Sequence, residues 1–435
     1  MASPDSGRGL SRFIAQQGIS RPLAWGFVAL TLFMVGDGIE LSFLSTYLTD
    51  RGHDAGSVAL LFTVYGIVVA LGAWLAGALA EAWGPKRVMV IGGGIWIVFQ
   101  LVFLLLGVLP DSFAVILTAY AIRAIGYPLF AYGFLVWVTL STPSQVLGRA
   151  VGWYWFFNVM GLGVISGYFV AGTIDQLGPL GVLWSSLAFV TAGLAIVALL
   201  LRSQDGPTTV TAADTLRGLA ASITIVGEQP KVGIAGVIRI INTMSYYAFA
   251  VFLNVHMVNT IGFTQAQWSS IWGTMLLANI VANLLSGYLS DRLGRVAVVA
   301  WAGGFACALS VLALYYAPQA LGAHVPAVMA VGVVYGFALG MFCPLSAIVP
   351  LLAPANKGAA IAVLNLGAGL SNFAGPLVAG LVPAVGVAPV IWLLAALYIA
   401  GMALTFTLRA PGIEARDHRE PLTAPAPEPV PAAAV

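Results

Sequence analysis

The sequence predicts an all-α membrane protein, with twelve transmembrane helices arranged as two pseudo-symmetric six-helix bundles. Three observations carry that expectation: the scarcity of charge, the length of the apolar runs, and a signature that occurs twice, half a chain apart. Of 435 residues, 60% are hydrophobic and only 8% are Asp, Glu, Lys or Arg, against roughly 25% charged in soluble domains. Eighteen basic and sixteen acidic side chains cannot cover a 45.3 kDa globule, so most of its surface faces lipid. The apolar content excludes a disordered chain, and a net charge of +2 argues against a nucleic-acid partner. Cys307 and Cys343 both lie within apolar stretches, which leaves no disulfide framework and no thiolate metal site.

A helix needs about 20 apolar residues to cross the hydrocarbon core. Charged residues and Gly, Pro or Asp divide the chain into twelve such runs. Six fall at 24–48, 57–80, 88–109, 113–138, 150–172 and 180–201, and six more at 232–258, 266–289, 296–316, 325–350, 358–382 and 388–408. Helix is required because lipid-exposed backbone must bond within its own segment, and the short alternating strands of a barrel are absent. Met1–Arg21 is polar and basic, and the apolar stretch after it is too long for a signal-peptide core, so it reads as an uncleaved first span. Gly332, Gly336 and Gly340 place a small-residue row on the tenth span for close helix contact.

The chain therefore divides into an N-terminal segment (1–23), a first bundle (24–201), a polar linker (202–230), a second bundle (232–408) and a Pro/Ala-rich tail (409–435) expected to be disordered. A surface helix is expected within the linker near Ala212–Val226. With the N-terminus inside, fifteen Lys and Arg fall in cytoplasmic segments, only Arg51 in an outer loop, and Arg123 and Arg239 within spans. That bias places both termini in the cytoplasm and the protein in the bacterial inner membrane.

After the second span the chain reads Gly77-Ala-Leu-Ala-Glu81-Ala-Trp-Gly84-Pro-Lys86-Arg87, and 210 residues later Gly287-Tyr-Leu-Ser-Asp291-Arg292-Leu-Gly294-Arg295. This resembles the G-x-x-x-D-R-x-G-R signature of the major facilitator superfamily. The second copy is complete; the first has Glu81 for Asp, Ala82 for Arg and Pro85 for a basic residue. The resemblance implies that Gly77, Glu81, Gly84, Lys86 and Arg87, with Gly287, Asp291, Arg292, Gly294 and Arg295, latch the cytoplasmic face when the outside is open. A carboxylate beside a tight Gly turn suits that role, because it can meet the positive N-terminal end of a neighbouring helix.

A narrower resemblance rests on Val35-Gly36-Asp37-Gly38-Ile39-Glu40 in the first span and Arg123-Ala-Ile-Gly126-Tyr127-Pro128 in the fourth. These are similar to the polyol permease family, which contains ribitol and D-arabinitol transporters and has been described as including a 2-oxoglutarate permease. The resemblance implies proton-coupled symport of a small polyol by alternating access, by a monomer in the bilayer, with no cofactor beyond the proton gradient. A carboxylate transporter and a multidrug/proton antiporter are the alternatives.

Asp37, Glu40, Arg123 and Arg239 are the ionisable groups of interest inside spans. Each costs at least about 2.5–3.5 kcal/mol at the membrane centre on insertion scales, so they are expected to pair. Asp37 and Glu40 share a helix face. Arg123 is expected to pair with one of them, while one acid accepts the coupling proton; Glu40, nearer the outside, suits proton access, and Asp37 the substrate or the ion pair. In the superfamily the first, fourth, seventh and tenth helices line the cavity, and these four charges lie on the first, fourth and seventh.

A sugar alcohol needs amide and phenol groups between apolar walls. Asn158, Asn242, Tyr246 and Asn365 are the foremost candidates, joined by Trp153, Tyr127 and Asn279. An enzyme is not expected. The four histidines, at 53, 256, 324 and 418, are dispersed, no H-E-x-x-H occurs, and Gly161-Leu-Gly163 has Ser166 where a dinucleotide fingerprint needs Gly.

Overall fold

The computed structural model describes residues 21–142, 147–201, 224–354 and 356–409. Eleven helical stretches are long and apolar enough to cross a membrane. Five of them are α1 (Leu23–Ser42), α2 (Ala55–Gly77), α3 (Pro85–Val108), α4 (Phe113–Ser141) and the 52-residue stretch Arg149–Leu200. The others are α7 (Pro230–Leu253), α8 (Gln265–Leu293), α9 (Arg295–Leu321), α10 (Val325–Leu352), α11 (Ala359–Val385) and α12 (Val387–Thr407).

The long stretch is two spans. At Gly178 the backbone takes φ 67° and ψ 166°, and Pro179 follows; a left-handed φ favours Gly, and Pro lacks the N–H to continue a helix. The two arms, α5 (149–177) and α6 (179–200), run oppositely along α1. Gly161 and Leu162 lie beside Thr31 and Gly38, whereas Gly193 lies beside Ala29 and Ser186 beside Gly36. Twelve passages result among the described residues.

The two copies of the repeated signature fold alike. Gly84 and Gly294 adopt φ 85°, ψ 140° and φ 87°, ψ 136°, each turning the chain into the next helix in a conformation that requires Gly. Other starts use side-chain caps. Asp54 accepts from the Ser57 amide at the head of α2, and Thr264 and Gln267 form a reciprocal capping box at the head of α8.

The first span differs from the continuous helix expected over 24–48. The α-helix ends at Gly38, Ile39–Ser42 is a 3-10 turn, Phe43 leaves helical geometry at φ −148°, and Leu44–Asp50 is a separate helix. Gly36 and Gly38 weaken the helix here, and Gly38 admits the Leu162 carbonyl of α5, which would lie 2.0 Å from a Cβ. The surface helix expected near 212–226 and the tail from Pro411 fall outside the described residues, apart from the helical turn at 224–228.

Large apolar side chains such as Leu71, Leu284, Trp301 and Trp392 are exposed along the helices, as a lipid-facing surface requires. The hydrogen bonds that join the halves cluster at the end of the bundle opposite the basic loops. Ser45 Oγ donates to Ala250 O (2.7 Å), Asn254 Nδ2 to Ser45 Oγ (3.0 Å), Gln265 Nε2 to Ser42 O (2.6 Å) and Asn259 Nδ2 to Asp50 Oδ1 (2.9 Å).

Candidate functional site: a central ring of charge and phenol

The 3-10 turn after Gly38 directs Glu40 into the N-terminal half. There both carboxylate oxygens receive Arg123 of α4: Nη1 donates to Oε1 and Nη2 to Oε2, each at 2.6 Å. The sequence left the partner open between two acids; the structure selects Glu40. Gln100 of α3 accepts from Arg123 Nη1 and donates to Glu40 Oε1 (3.0 Å) and to Ser186 Oγ of α6 (3.1 Å). The guanidinium also lies 4.3 Å from the Tyr120 ring centroid and 4.8 Å from that of Trp96, a cation–π enclosure. Glu40 and Arg123 are each 1% exposed. Such a pair persists in a low-dielectric site because every charged atom but one has a partner; the exception is Arg123 Nε.

Asp37, one helical turn earlier, has only neutral donors. Trp96 Nε1 donates to Oδ1 at 2.7 Å, and the Tyr65 hydroxyl lies 3.3 Å and 3.4 Å from the two oxygens. Asp37 is 6% exposed. Its electrostatic neighbours include Tyr127 of α4 and Tyr246 and Tyr247 of α7, so its charge is felt in both halves.

The C-terminal half carries a neutral counterpart on the corresponding helices. Ser245 Oγ of α7 lies 2.6 Å from the Tyr335 hydroxyl of α10 and 2.5 Å from the Tyr398 hydroxyl of α12, with Cys307 of α9 beside both phenols. Tyr398 also donates to Asn242 O at 2.8 Å. Helices 1, 3, 4 and 6 are thus tied by ions, and 7, 9, 10 and 12 by hydroxyls.

Arg239 of α7 stands apart. It is half-buried, its stem packs on Gly367 of α11, and its electrostatic neighbours are Cys343, Tyr132 and Tyr247. Among the described residues no carboxylate pairs with it. Arg239, Asn242 and Tyr246 are three and seven residues apart and share a face of α7. Ala250, eleven residues beyond Arg239 on that face, accepts from Ser45 of α1, so the face looks toward the N-terminal half. Among the buried polar atoms near this centre, Asn242 Oδ1 of α7 has no hydrogen-bond partner, while Asn158 Nδ2 faces only the Tyr154 hydroxyl of α5, and Trp272 Nε1 of α8 only the Tyr246 hydroxyl, in loose contacts. An unsatisfied buried group costs about 1–3 kcal/mol, and a molecule bound between the halves would relieve that cost.

Of the other residues expected to hold substrate, Tyr127 is buried, with Tyr132, Tyr247 and Tyr154 as electrostatic neighbours. Trp153 packs on Phe156 and Phe157. Asn279 accepts from Asn283 Nδ2 (3.2 Å), and Asn365 is exposed on α11. Tyr65, Trp96, Tyr120 and Ser186 were absent from the sequence candidates. Trp96 lies four residues before Gln100, and that helical spacing was the available signal.

At the basic end, Lys86 Nζ donates to Ala198 O (2.9 Å) and Leu201 O (2.5 Å), capping the end of α6. Arg292 stacks 4.2 Å from the Tyr288 ring centroid. Asp291 is exposed and forms no ion pair among the described residues, Arg87 is exposed and Arg295 half-buried, and a Cβ at Gly77 or Gly287 would meet nothing within 4 Å. The side chain of Glu81 lies outside the described set.

A family model described as Major Facilitator Superfamily matches residues 26–230 and 235–433. The chain is 40% identical over 389 residues to an alpha-ketoglutarate permease of Bacillus subtilis (strain 168), covering 89% of each. It is 36% identical over 417 residues to a ribitol transporter of Klebsiella pneumoniae, covering 94% of this chain and 98% of that one. The solved structure of the nucleoside transporter NupG superposes with a TM-score of 0.72 at 14% identity, over 90% of this chain and 100% of the other, which speaks to the fold alone.

Proposed function

Because the chain belongs to the major facilitator superfamily, and is a multi-pass membrane transporter rather than an enzyme, we propose that it performs proton-coupled symport of a small polyol, such as ribitol or arabinitol, by alternating access. The observation that carries the substrate class is the mixed chemistry of the buried polar atoms. Asn242 Oδ1 offers an unpaired acceptor from one half, Asn158 Nδ2 a donor from the other that meets only the Tyr154 hydroxyl loosely, and the Tyr246 phenol, beside Trp272 Nε1, keeps its own proton to donate. A hydroxyl, being both donor and acceptor, satisfies all of them. Relatives that carry ribitol and D-arabinitol, at 36% identity, support this reading.

Asp37 carries the proton. Both Glu40 oxygens are held by a guanidinium, whereas Asp37 accepts only from Trp96 and Tyr65, which are neutral. Protonation removes the charge of Asp37, and the halves can then rock about the loaded pocket. The basic end is cytoplasmic by the distribution of Lys and Arg. The hydrogen-bond bar between Ser45, Ala250 and Asn254 therefore closes the periplasmic side, and the resting latch at Asp291 is released.

Uptake of radiolabelled ribitol into proteoliposomes under an imposed pH gradient tests the reading. The parent protein accumulates ribitol, and Asp37→Asn exchanges it across the membrane without accumulating it. If Asp37→Asn accumulates ribitol like the parent, coupling through Asp37 is wrong. A carboxylate substrate is the second reading, favoured by Arg239 having no acid partner among the described residues and by the 40% identical alpha-ketoglutarate permease.

A further inference from the structure

Two features of the pocket pull toward different cargoes, and one class of molecule satisfies both. Arg239 is a cation within a membrane span with no carboxylate partner among the described residues. A guanidinium presents a planar fork that matches a carboxylate, and a sugar alcohol would leave it unpaired. One turn along the same face, Asn242 Oδ1 is a buried acceptor without a donor. A simple dicarboxylate carries only acceptors when ionised and would leave that atom unpaired.

We infer that the pocket takes a polyhydroxylated monocarboxylate, a sugar acid, with its carboxylate on Arg239 and its hydroxyls on Asn242, Tyr246 and, across the seam, Asn158. The inference rests on the reading that this pocket binds an oxygen-rich cargo together with a proton on Asp37. The spacing suits it: Arg239 to Tyr246 is about 10 Å along the axis at 1.5 Å per residue, a length that a short linear sugar acid and its hydrogen bonds cover.

Charge balance supports the same class. Glu40 and Arg123 cancel, so the empty pocket holds Asp37 negative and Arg239 positive, and sums to zero. A monoanion arriving with one proton on Asp37 leaves the sum at zero. A polyol arriving with one proton leaves an uncompensated positive charge in a low-dielectric site, which is costly. The two cargoes also differ in what crosses the membrane, a net charge of zero for the acid and of plus one for the alcohol.

The experiment compares radiolabelled ribonate, ribitol and 2-oxoglutarate in proteoliposomes, with a pH gradient and a membrane potential imposed separately. Ribonate uptake is expected to follow the pH gradient and to ignore the potential, and Arg239→Gln is expected to weaken it about tenfold or more, the loss of one charge-assisted contact. A second readout needs no transport. Of the two cysteines, Cys343 is exposed and near Arg239, whereas Cys307 is buried, so N-ethylmaleimide labelling reports Cys343. Ribonate is expected to slow that labelling in the parent protein and not in Arg239→Gln. Accumulation of ribitol without ribonate, or ribonate protection that survives Arg239→Gln, overturns the inference and leaves the polyol reading standing. Accumulation of 2-oxoglutarate alone overturns it in favour of a plain carboxylate. Uptake of none of the three overturns the symport reading beneath it.

Discussion

Glu40 and Arg123 stand 83 residues apart in sequence and meet through two parallel hydrogen bonds of 2.6 Å. The fork closes both acid oxygens, and Gln100 links the pair to Ser186. Four helices are thereby tied at one point, and Asp37, one turn away, keeps only the neutral donors Trp96 and Tyr65.

Breaking one side of this pair is expected to be worse than removing both. Glu40→Gln leaves a buried guanidinium uncompensated, a loss of about 3–5 kcal/mol. Glu40→Gln combined with Arg123→Gln removes the charge and recovers part of that loss. Thermal unfolding in detergent measures both, and equal melting of the single and double variants would show that the pair does not hold α1 to α4.

The hydrogen-bond bar at Ser45 makes a conformational prediction. Ser45 Oγ both donates to Ala250 O and accepts from Asn254 Nδ2, and Asn254 is 0% exposed. Ser45→Ala leaves a carbonyl and an amide unpaired in this state only, where an unsatisfied buried group costs about 1–3 kcal/mol. The population shifts toward the state in which water reaches them. A Thr49→Cys reporter near this mouth is expected to react faster with a water-soluble thiol reagent when Ser45 is Ala.

Most of the architecture was legible because lipid leaves few choices: charge-poor runs of sufficient length must be helices, and basic loops alternate. The repeat at Gly84 and Gly294 was legible because a positive φ demands Gly at both copies. The ion pair was half legible. Scarcity of charge said that Arg123 must find an acid, but the choice between Asp37 and Glu40 depends on the break after Gly38, which is set by the approach of Leu162 from another helix. Tyr65 reads as an ordinary apolar-span aromatic, and only the four-residue spacing from Gln100 distinguishes Trp96 from an indole that faces lipid. That Arg239 meets no carboxylate among the described residues was invisible, because pairing is a property of the whole bundle.

Asp54 supplies a pH-dependent contact outside the membrane. Its carboxylate accepts from the Ser57 amide (3.0 Å) and hydroxyl (2.6 Å), which holds it below its ordinary value of 3.8. A carboxyl lowered on folding contributes stability above its unfolded value, and that contribution disappears as pH falls through the lower folded value. At neutral pH, Asp54→Ala is therefore expected to speed amide hydrogen exchange in the first turn of α2. Below the folded value the variant and the parent are expected to exchange alike, and a difference that persists there would show the cap to be independent of charge.

Two glycines separate stability from switching. A Cβ at Gly38 would lie 2.0 Å from the Leu162 carbonyl, and one at Gly66 would lie 2.1 Å from the Asn372 carbonyl. Both obstacles are backbone, so no rotamer change relieves them. Gly38 and Leu162 belong to α1 and α5 of one half, which travel together. Gly66 and Asn372 belong to α2 and α11 of opposite halves, whose contact changes whenever the halves rock. Gly38→Ala is therefore expected to lower the melting temperature whichever way the transporter faces. Gly66→Ala penalises only states in which α2 and α11 touch here, so it is expected to spare more of the stability while raising reagent access to Thr49→Cys. Equal melting losses with no change in access would place both crossings in the rigid part of the molecule and remove α2–α11 from the moving seam.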